Sequence, residues 1–560
     1  MEISALVTLA SGLIGGLGLF LLGMKSMSDG MQAVAGPSLR RWIAVVTKNR
    51  LLSLLVGIGV TCVVQSSSIT TVMTVGFVNS GLMTLQQAIG VIMGANIGTT
   101  ITGWILVLNI GKYGLPIIGI AAFVYLFSKS DNWRFWGMSV MGVGMVFFGL
   151  ELMKDACSII KANPSFEVWF HQFQADSYFG VLKCALAGCL LTVLVQSSSA
   201  TLGITISLAY QGVISYETAA ALVLGENVGT TITAFLASLG ATSTARRAAY
   251  FHIIFNLVGV FWITLVFQWY IVVIQWIVGG GVNEPTIVDG VSTFPKTTAA
   301  IAATHSLFNV ANTLFFLPFV PGFVVLLNRL VTTNDLKERP QLTDLDIRML
   351  ETPTLAIQQS RNEIEKMGEG CEKMLTWLSE LRDQDDPDKA MGDSLKEREQ
   401  IFDSVQDEVA AFVTNLLSNN LPHSVADEAR RQLSLADEYE SVSDYLVSLD
   451  KFDRKLRRDG MRFTPEQREE LRHLNQRTME YVKAVNEGLL KNNRHIVRDT
   501  DATSKRIRSE IKQLRRKHLE DLSNGDIPPQ VSVAFLAALN AYARVRDHLE
   551  TIAETIASET

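Results

Sequence analysis

Gln65-Ser66-Ser67-Ser68, followed by Gly94-Ala95-Asn96-Ile97-Gly98-Thr99-Thr100, returns 131 residues later as Gln196-Ser197-Ser198-Ser199 and Gly225-Glu226-Asn227-Val228-Gly229-Thr230-Thr231. One offset carries both motifs without a gap. It also carries Gly57 and Thr61 onto Gly188 and Thr192, and over 65–102 against 196–233 it leaves 15 of 38 positions identical, too many for chance at a single register. The chain therefore contains a duplicated unit, with repeat cores at about 51–128 and 182–265.

Both copies lie in apolar surroundings. Stretches able to enter a bilayer run at roughly 3–24, 51–80, 85–108, 115–128, 135–153, 180–213, 216–240, 248–278 and 299–328, since about 20 residues span the hydrocarbon core. The 51–80 and 180–213 stretches are too long for one upright helix, and serines and glycines interrupt both near the middle. A re-entrant hairpin or broken helix is expected in each. The run from Ile3 to about Met24 lacks a basic flank and reads as a retained membrane helix, not a cleaved signal peptide.

Charge divides the chain. Of its 49 basic and 55 acidic residues, 15 and 11 fall within 1–334, leaving 34 and 44 in the last 226 residues. A membrane half (1–334) and a water-soluble half (335–560) obey different solvent rules, which excludes a single soluble globular protein. The net negative tail argues against nucleic-acid binding. Cys62, Cys157, Cys184, Cys189 and Cys371 contain no Cys-x-x-Cys pair and no nearby His at ligand spacing, so buried thiols are expected and neither a disulfide framework nor a zinc site is indicated.

Arg40, Arg41, Lys48 and Arg50 precede the first long stretch, Arg246 and Arg247 follow the second, and Arg329, Lys337 and Arg339 lead into the tail. By the positive-inside rule these loops and the tail are cytoplasmic, while the acidic loops around Asp155, Glu167 and Asp176, and around Glu284 and Asp289, are external. The two copies are then entered from opposite sides, which is the inverted-repeat plan of secondary transporters, with the site at the midplane. Ordinary packing is the alternative: serines bond back to the preceding turn, and Gly94/Gly98 and Gly225/Gly229 are small-xxx-small spacings. Packing alone does not require both motifs to recur together at one offset.

Three consecutive hydroxyls and an amide cannot share one side of a regular helix, so a useful cluster implies a break, where freed N–H groups and a half-helix N-terminus face an anion. Hydroxyls donate to oxyanion oxygens. Asn and Thr oxygens with unwound carbonyls are the hard ligands sodium prefers. Neither motif contains Lys or Arg, so a bound anion at membrane depth needs a cotransported cation to neutralise it. The residues alone reach an inverted-repeat, cation-coupled transporter of an anion.

The paired motifs, with Gly16-Leu17-Gly18-Leu19-Phe20-Leu21-Leu22-Gly23-Met24 near the start, resemble the sodium-dependent inorganic phosphate cotransporter family over roughly residues 5–330. The resemblance implies an all-α polytopic protein of a cell membrane, the bacterial inner membrane, with two inverted repeats and re-entrant hairpins. It also implies inorganic phosphate carried with sodium. Ser66, Ser67, Ser197 and Ser198 would meet phosphate, with Asn96 and Asn227 bracing the loops beside it. Gln65, Ser68, Thr99, Thr100, Gln196, Ser199, Thr230 and Thr231 would shape the sodium sites. Ala95 and Glu226 depart from the family's common Gly-Ser-Asn; a carboxylate there can bind a cation, take a proton or face an aqueous vestibule. His252 with Asn256 and His305 with Asn309 share the spelling His-x-x-Phe-Asn and i,i+4 spacing, and interhelical hydrogen bonds are expected of them.

Beyond Pro340, helical periodicity interrupted near Pro387, Pro422, Pro465 and Pro528-Pro529 predicts about six helices, two three-helix bundles and no strand. Asp437-Glu438-Tyr439-Glu440-Ser441-Val442-Ser443-Asp444 resembles the acidic signature of PhoU-like domains, and Arg544-Val545-Arg546-Asp547-His548 is a related run in which Asn540 and Ala543 replace the first acids. Asp437, Glu440 and Asp444 share one helix face, a candidate divalent-metal site whose alternative is a solvated acidic face. The domain resemblance implies control or assembly of the transporter. A sodium-coupled phosphate symporter is the leading expectation, ahead of a carrier of another oxyanion or dicarboxylate and of a membrane-anchored phosphate sensor. No nucleophile–base pair, phosphate-cradling loop or metal triad suggests an enzyme. A homo-oligomer is left open.

Overall fold

The computed structural model describes residues 3–44, 49–79, 83–108, 110–161, 173–239, 241–288, 291–331, 343, 345, 349–350, 352–383, 389–418, 421–523, 525 and 527–558. Lys48, Glu167, Asp289, Lys337, Arg339, Pro340 and Pro387 lie outside these residues. The described chain is almost entirely helical and forms two compact units, Met1–Lys337 and Glu338–Thr560. Among the described residues of the first unit, seven helices or helix pairs are long and apolar enough to cross a membrane. The chain is an all-α polytopic membrane protein.

In the first unit α1 (Ile3–Ala44) is far longer than the apolar run that announces it, because it lies along α7 (Asp131–Lys161) for most of its length. Glycines set that contact. A Cβ at Gly16 would stand 2.8 Å from Gly149 O, and one at Gly23 2.8 Å from Gly142 O, so the two backbones touch at a seven-residue spacing.

Between them lies the first repeat: α2 (Arg50–Val64), α3 (Ser67–Asn79), α4 (Leu85–Thr99), α5 (Ile101–Val107) and α6 (Gly114–Phe127). The second repeat supplies α8 (Tyr178–Val195), α9 (Ser198–Tyr210), α10 (Tyr216–Gly229) and α11 (Thr231–Ala237). Each long apolar stretch that carries a serine motif is thus two helices, as the interrupting polar residues predict. Within each repeat the first helix packs on the third through glycines. A Cβ at Gly98 would fall 2.8 Å from Ile58 O and from Thr61 Cβ; one at Gly229 would fall 2.5 Å from Cys189 O and 2.7 Å from Thr192 Cβ. Ile58 and Cys189, like Thr61 and Thr192, are one repeat offset apart, so the duplication in sequence is a duplication of contacts.

Three further segments close the unit: α12 (Ser243–Leu265), α13 (Phe267–Ile277) and α14 (Lys296–Phe316), the last continuing through a 3-10 turn into α15 (Val320–Leu330). The 248–278 and 299–328 stretches are therefore also broken, the second beside Pro318 and Pro321, which cannot continue a helical ladder. A short hairpin, β1 (Thr286–Val288) antiparallel to β2 (Val291–Thr293), precedes α14 and was not expected from the sequence.

The described residues of the second unit form six helices: α16 (Pro353–Asp383), α17 (Lys389–Leu417), α18 (His423–Arg458), α19 (Pro465–Lys491), α20 (Ile496–Ser523) and α21 (Pro529–Ala557). The first three pack together, as do the last three, and α18 on α21 and α16 on α19 join the sets; Tyr439, Tyr481, Phe535 and Tyr542 are fully buried in this unit. Prolines start α18, α19 and α21. The α19–α20 break instead falls at Asn492, whose φ of 50° ends α19 in the left-handed conformation.

Candidate functional site: paired helix breaks

Gln65 and Gln196 have φ 55° and ψ 22° and 24°, and with Asn492 they are the non-glycine residues with positive φ among those described. A left-handed glutamine costs about 1–2 kcal/mol, so the surrounding structure has to impose it. It does so identically in both copies. The Gln N–H closes the preceding helix on Thr61 O or Thr192 O at 2.7 Å. Thr61 Oγ1 donates to Thr70 Oγ1 at 3.0 Å, and Thr192 Oγ1 to Thr201 Oγ1 at 3.1 Å, tying the two arms of each hairpin together. Ser66 Oγ accepts from Ile69 N and Ser197 Oγ from Ala200 N, both at 3.2 Å, capping the new helix. In the first copy the Val64 carbonyl beside the break accepts from Ser28 Oγ of α1 at 2.6 Å.

The break turns each serine motif into a helix N-terminus, where N–H groups and the helix dipole favour an anion. Ser67 is buried and Ser66 and Ser68 are half-buried; Ser199 is buried and Ser197 and Ser198 are half-buried. Their surroundings differ. Gln65 is 7 % exposed, donates to Cys62 O at 2.5 Å and accepts from Thr102 Oγ1 at 3.2 Å, whereas Gln196 is exposed.

The Asn-x-Gly-Thr-Thr helices reach the same region by an exchange. The short helix after each Thr-Thr packs on the helix after the other repeat's serine motif: α5 on α9, with Gly103 against Leu202, and α11 on α3. Asn96 Nδ2 donates to Ile92 O and Asn227 Nδ2 to Val223 O, each at 2.9 Å, which aims both Oδ1 atoms away from their own helices. Thr100 and Thr231 bond back to Ile97 O and Val228 O, and Thr230 to Glu226 O. Thr99 Oγ1 is buried without a partner.

Two residues from which interhelical hydrogen bonds are expected, though no site role, stand beside these motifs. His305 Nε2 lies 3.2 Å and Asn309 Nδ2 3.1 Å from Asn227 Oδ1, so α14 clamps the second Asn by interhelical hydrogen bonds. Their i,i+4 spacing was the available signal. His252 and Asn256 sit on α12, which packs on α4, but both His252 ring nitrogens lack partners. Glu226 is 1 % exposed and neither of its carboxylate oxygens has a hydrogen-bond partner, while Ala95 fills its place in the first copy.

In the second unit the expected metal set is rearranged. Asp403 of α17 joins Glu440 and Asp444, with one carboxylate oxygen of each within 4.8 Å of the others. Asp437 instead accepts from Gln406 Nε2 at 2.5 Å. An i,i+3,i+7 face selects residues on one helix and cannot see an acid on the neighbouring one. Burial, and then the neighbouring carboxylates, push the Glu440 and Asp403 acids above the usual range.

Comparison with known proteins places these features. The family described as Na+/Pi-cotransporter matches residues 19–155 and 162–277. "Putative inorganic phosphate export protein YjbB" of Escherichia coli (strain K12) is 28 % identical over 372 residues, 66 % of this chain and 64 % of that protein. "Uncharacterized protein YqeW" of Bacillus subtilis (strain 168) is 28 % identical over 313 residues, 56 % of this chain and 95 % of its own length. "Sodium-dependent phosphate transport protein 2B" of Homo sapiens is 41 % identical over 98 residues, 17 % of this chain and 14 % of that one. No solved structure matches. The chain spans 64 % of the length of the first of these relatives. The duplicated motifs, the duplicated breaks and these matches make the membrane half, over residues 19–155 and 162–277, similar to the Na+/Pi-cotransporter family.

Proposed function

We propose that the chain is a sodium-coupled carrier of inorganic phosphate with a helical regulatory unit. The observation that carries this is the reciprocal exchange between repeats, in which two matching helix breaks, each capped by a serine, are each backed by the other repeat's Thr-Thr helix. Names among the relatives, an inorganic phosphate export protein and a sodium-dependent phosphate transport protein, agree with it.

In the mechanism, Ser66, Ser67, Ser197 and Ser198 donate hydroxyl hydrogens to phosphate oxygens, while the N–H groups that open α3 and α9 add the positive ends of two helix dipoles. Asn96 and Asn227 hold the loops beside them. Gln65, Ser68, Thr99 and Thr100, and Gln196, Ser199, Thr230 and Thr231, offer neutral oxygens to sodium. With no Lys or Arg in either motif, the cation supplies the charge that makes a buried phosphate tolerable, and that is the physical basis of coupling. Empty or fully loaded, the site is close to neutral and the repeats can rearrange; with phosphate alone it is not. Unequal exposure of Gln65 and Gln196 suits a carrier resting at one end of its cycle, open at one break and closed at the other. Net direction follows the gradients supplied. The PhoU-like unit lies in the cytoplasm by the positive-inside rule and controls the carrier.

Ser67→Ala and Ser198→Ala, each in purified protein reconstituted into vesicles, test the assignment. We expect phosphate uptake to fall by about two orders of magnitude, as when a binding site loses a donor to a charged ligand, with unchanged melting temperature. Near-normal uptake by either variant would refute it.

A further inference from the structure

In the soluble unit four arginines far apart in sequence meet. The last turn of α16 brings Arg382, the last turn of α18 brings Arg457, the loop that follows brings Arg462, and the first turn of α19 brings Arg468 to one cleft, which Asp453, Phe463 and Leu471 also line. It has about 20 Å³ for the centres of water-sized atoms, on the order of one or two waters and far below a nucleotide pocket, so only a small inorganic solute that displaces that water can enter between the arginines.

The ordinary role of arginines at helix C-termini is to bond the last carbonyls, and part of the set does so. Arg382 Nη1 donates to Tyr542 Oη at 2.6 Å and to Leu471 O at 3.4 Å; Arg457 Nη2 donates to Asp453 and, at 3.4 Å, to Leu381 O. Capping leaves one fact unexplained: Arg382 Nη2 and Arg457 Nη1 are buried with no acceptor among the described residues, and an unsatisfied charged donor is costly. Asp453 pairs with Arg457, and the adjoining buried Asp450 accepts from Arg454. Burial, with Arg462, Arg382 and Arg468 nearby, lowers the Arg457 pKa although Asp450 opposes this. Four guanidinium groups, some with N–H bonds to spare, call for an acceptor-rich anion.

We propose that this cleft binds one inorganic tetrahedral oxyanion of the phosphate class, held by the Arg382 and Arg457 forks with Arg462 and Arg468 beside them. Phosphate oxygens accept such paired donors in a way that a spherical halide cannot. The preference for phosphate over sulfate rests on the proposal that the membrane half carries phosphate; occupancy would then let the soluble unit register the carried ion on its own side of the membrane.

Hydrogen–deuterium exchange of the full chain in detergent, in sodium-free potassium buffer at fixed ionic strength, reads the cleft directly. With millimolar inorganic phosphate, exchange in peptides spanning 376–383 and 456–471 should slow by about fivefold, as expected when a bound ion bridges the charged groups of separate elements, and chloride should leave it unchanged. The double variant Arg382→Gln, Arg457→Gln should lose that protection while peptides from α20 keep theirs. Should this variant unfold, Arg462→Gln with Arg468→Gln replaces it and should weaken the phosphate response at least several-fold. Absence of protection by phosphate, equal protection in the variants, or protection seen only in anionic-lipid nanodiscs without free phosphate would overturn the proposal. Since the signal is local to the cleft, its failure leaves phosphate transport untouched, and failed uptake leaves this signal readable.

Discussion

Gly229→Ala is the sharpest test of how the second hairpin is held. The added methyl would sit 2.5 Å from Cys189 O, 2.7 Å from Thr192 Cβ and 3.2 Å from Thr192 Cγ2. A methyl normally keeps about 3.3 Å from a carbonyl oxygen and about 3.8 Å from another carbon, so α10 must retreat from α8 by about 1 Å. The blocking atoms are backbone and a β-branched side chain, which cannot swing aside. Overpacking of this kind costs about 1–3 kcal/mol, and a mid-range cost of about 2 kcal/mol, at about 2–4 °C per kcal/mol for a large domain, should lower the melting temperature by about 4–8 °C. Thr192 is also the residue whose carbonyl takes the Gln196 N–H and whose hydroxyl ties the hairpin to Thr201, so the displacement is delivered to the break itself. Gly98→Ala, at 2.8 Å from Ile58 O and Thr61 Cβ, should behave alike and more mildly. Gly119→Ala has nothing within 4 Å and is the control, expected to stay within a degree or two. Thermal unfolding in detergent, followed by size-exclusion recovery, gives the comparison. A Gly229→Ala protein that melts with the control would refute this hairpin packing.

Three more outcomes are expected. In a double-mutant cycle on Asn227→Ala and Asn309→Ala, each single change should destabilise by about 1–2 kcal/mol with a coupling of about 0.5–1.5 kcal/mol; additive effects would mean that the clamp on Asn227 is not made. Glu226→Gln removes an enclosed carboxylate without partners and should melt at or above the parent temperature; a large drop would show that the charge is paired. Asp444→Asn should raise the melting temperature of the second unit by about 1–3 °C at pH 7.5, because Glu440 and Asp403 have folded-state pKa values raised by burial and by Asp444. Groups with raised carboxyl pKa disfavour folding once ionised, so the benefit should shrink as the pH falls and they are protonated. A benefit that grows toward acid pH would contradict this.

The helix breaks were legible because three hydroxyls and an amide are a poor fit to an uninterrupted membrane helix, and the repeat showed that this was no accident. Where the chain turns was not: the left-handed residue is Gln65 or Gln196, and only the threonine pairs behind it, nine residues apart, explain why. His305 and Asn309 were visible as a spaced pair, but nothing local to them names Asn227 as their partner. The length of α1 eluded its hydropathy because contact with α7, not apolar content, carries it past Met24. The β1–β2 hairpin is too short for a period-two pattern. In the second unit, proline punctuation marked three helix starts, while Asn492 left no comparable mark. The acidic face was readable as far as its own helix goes; Asp403 and the four arginines are brought in by tertiary packing, across separations a periodicity cannot span.

Sodium-driven phosphate accumulation is the most direct test. Purified protein in proteoliposomes, given radiolabelled phosphate under an inward sodium gradient, should concentrate phosphate above its equilibrium level, lose that accumulation when potassium or choline replaces sodium, and be competed by arsenate but not by succinate or sulfate. Saturable phosphate binding with no accumulation under any cation would contradict coupled transport and leave a membrane-anchored sensor in its place.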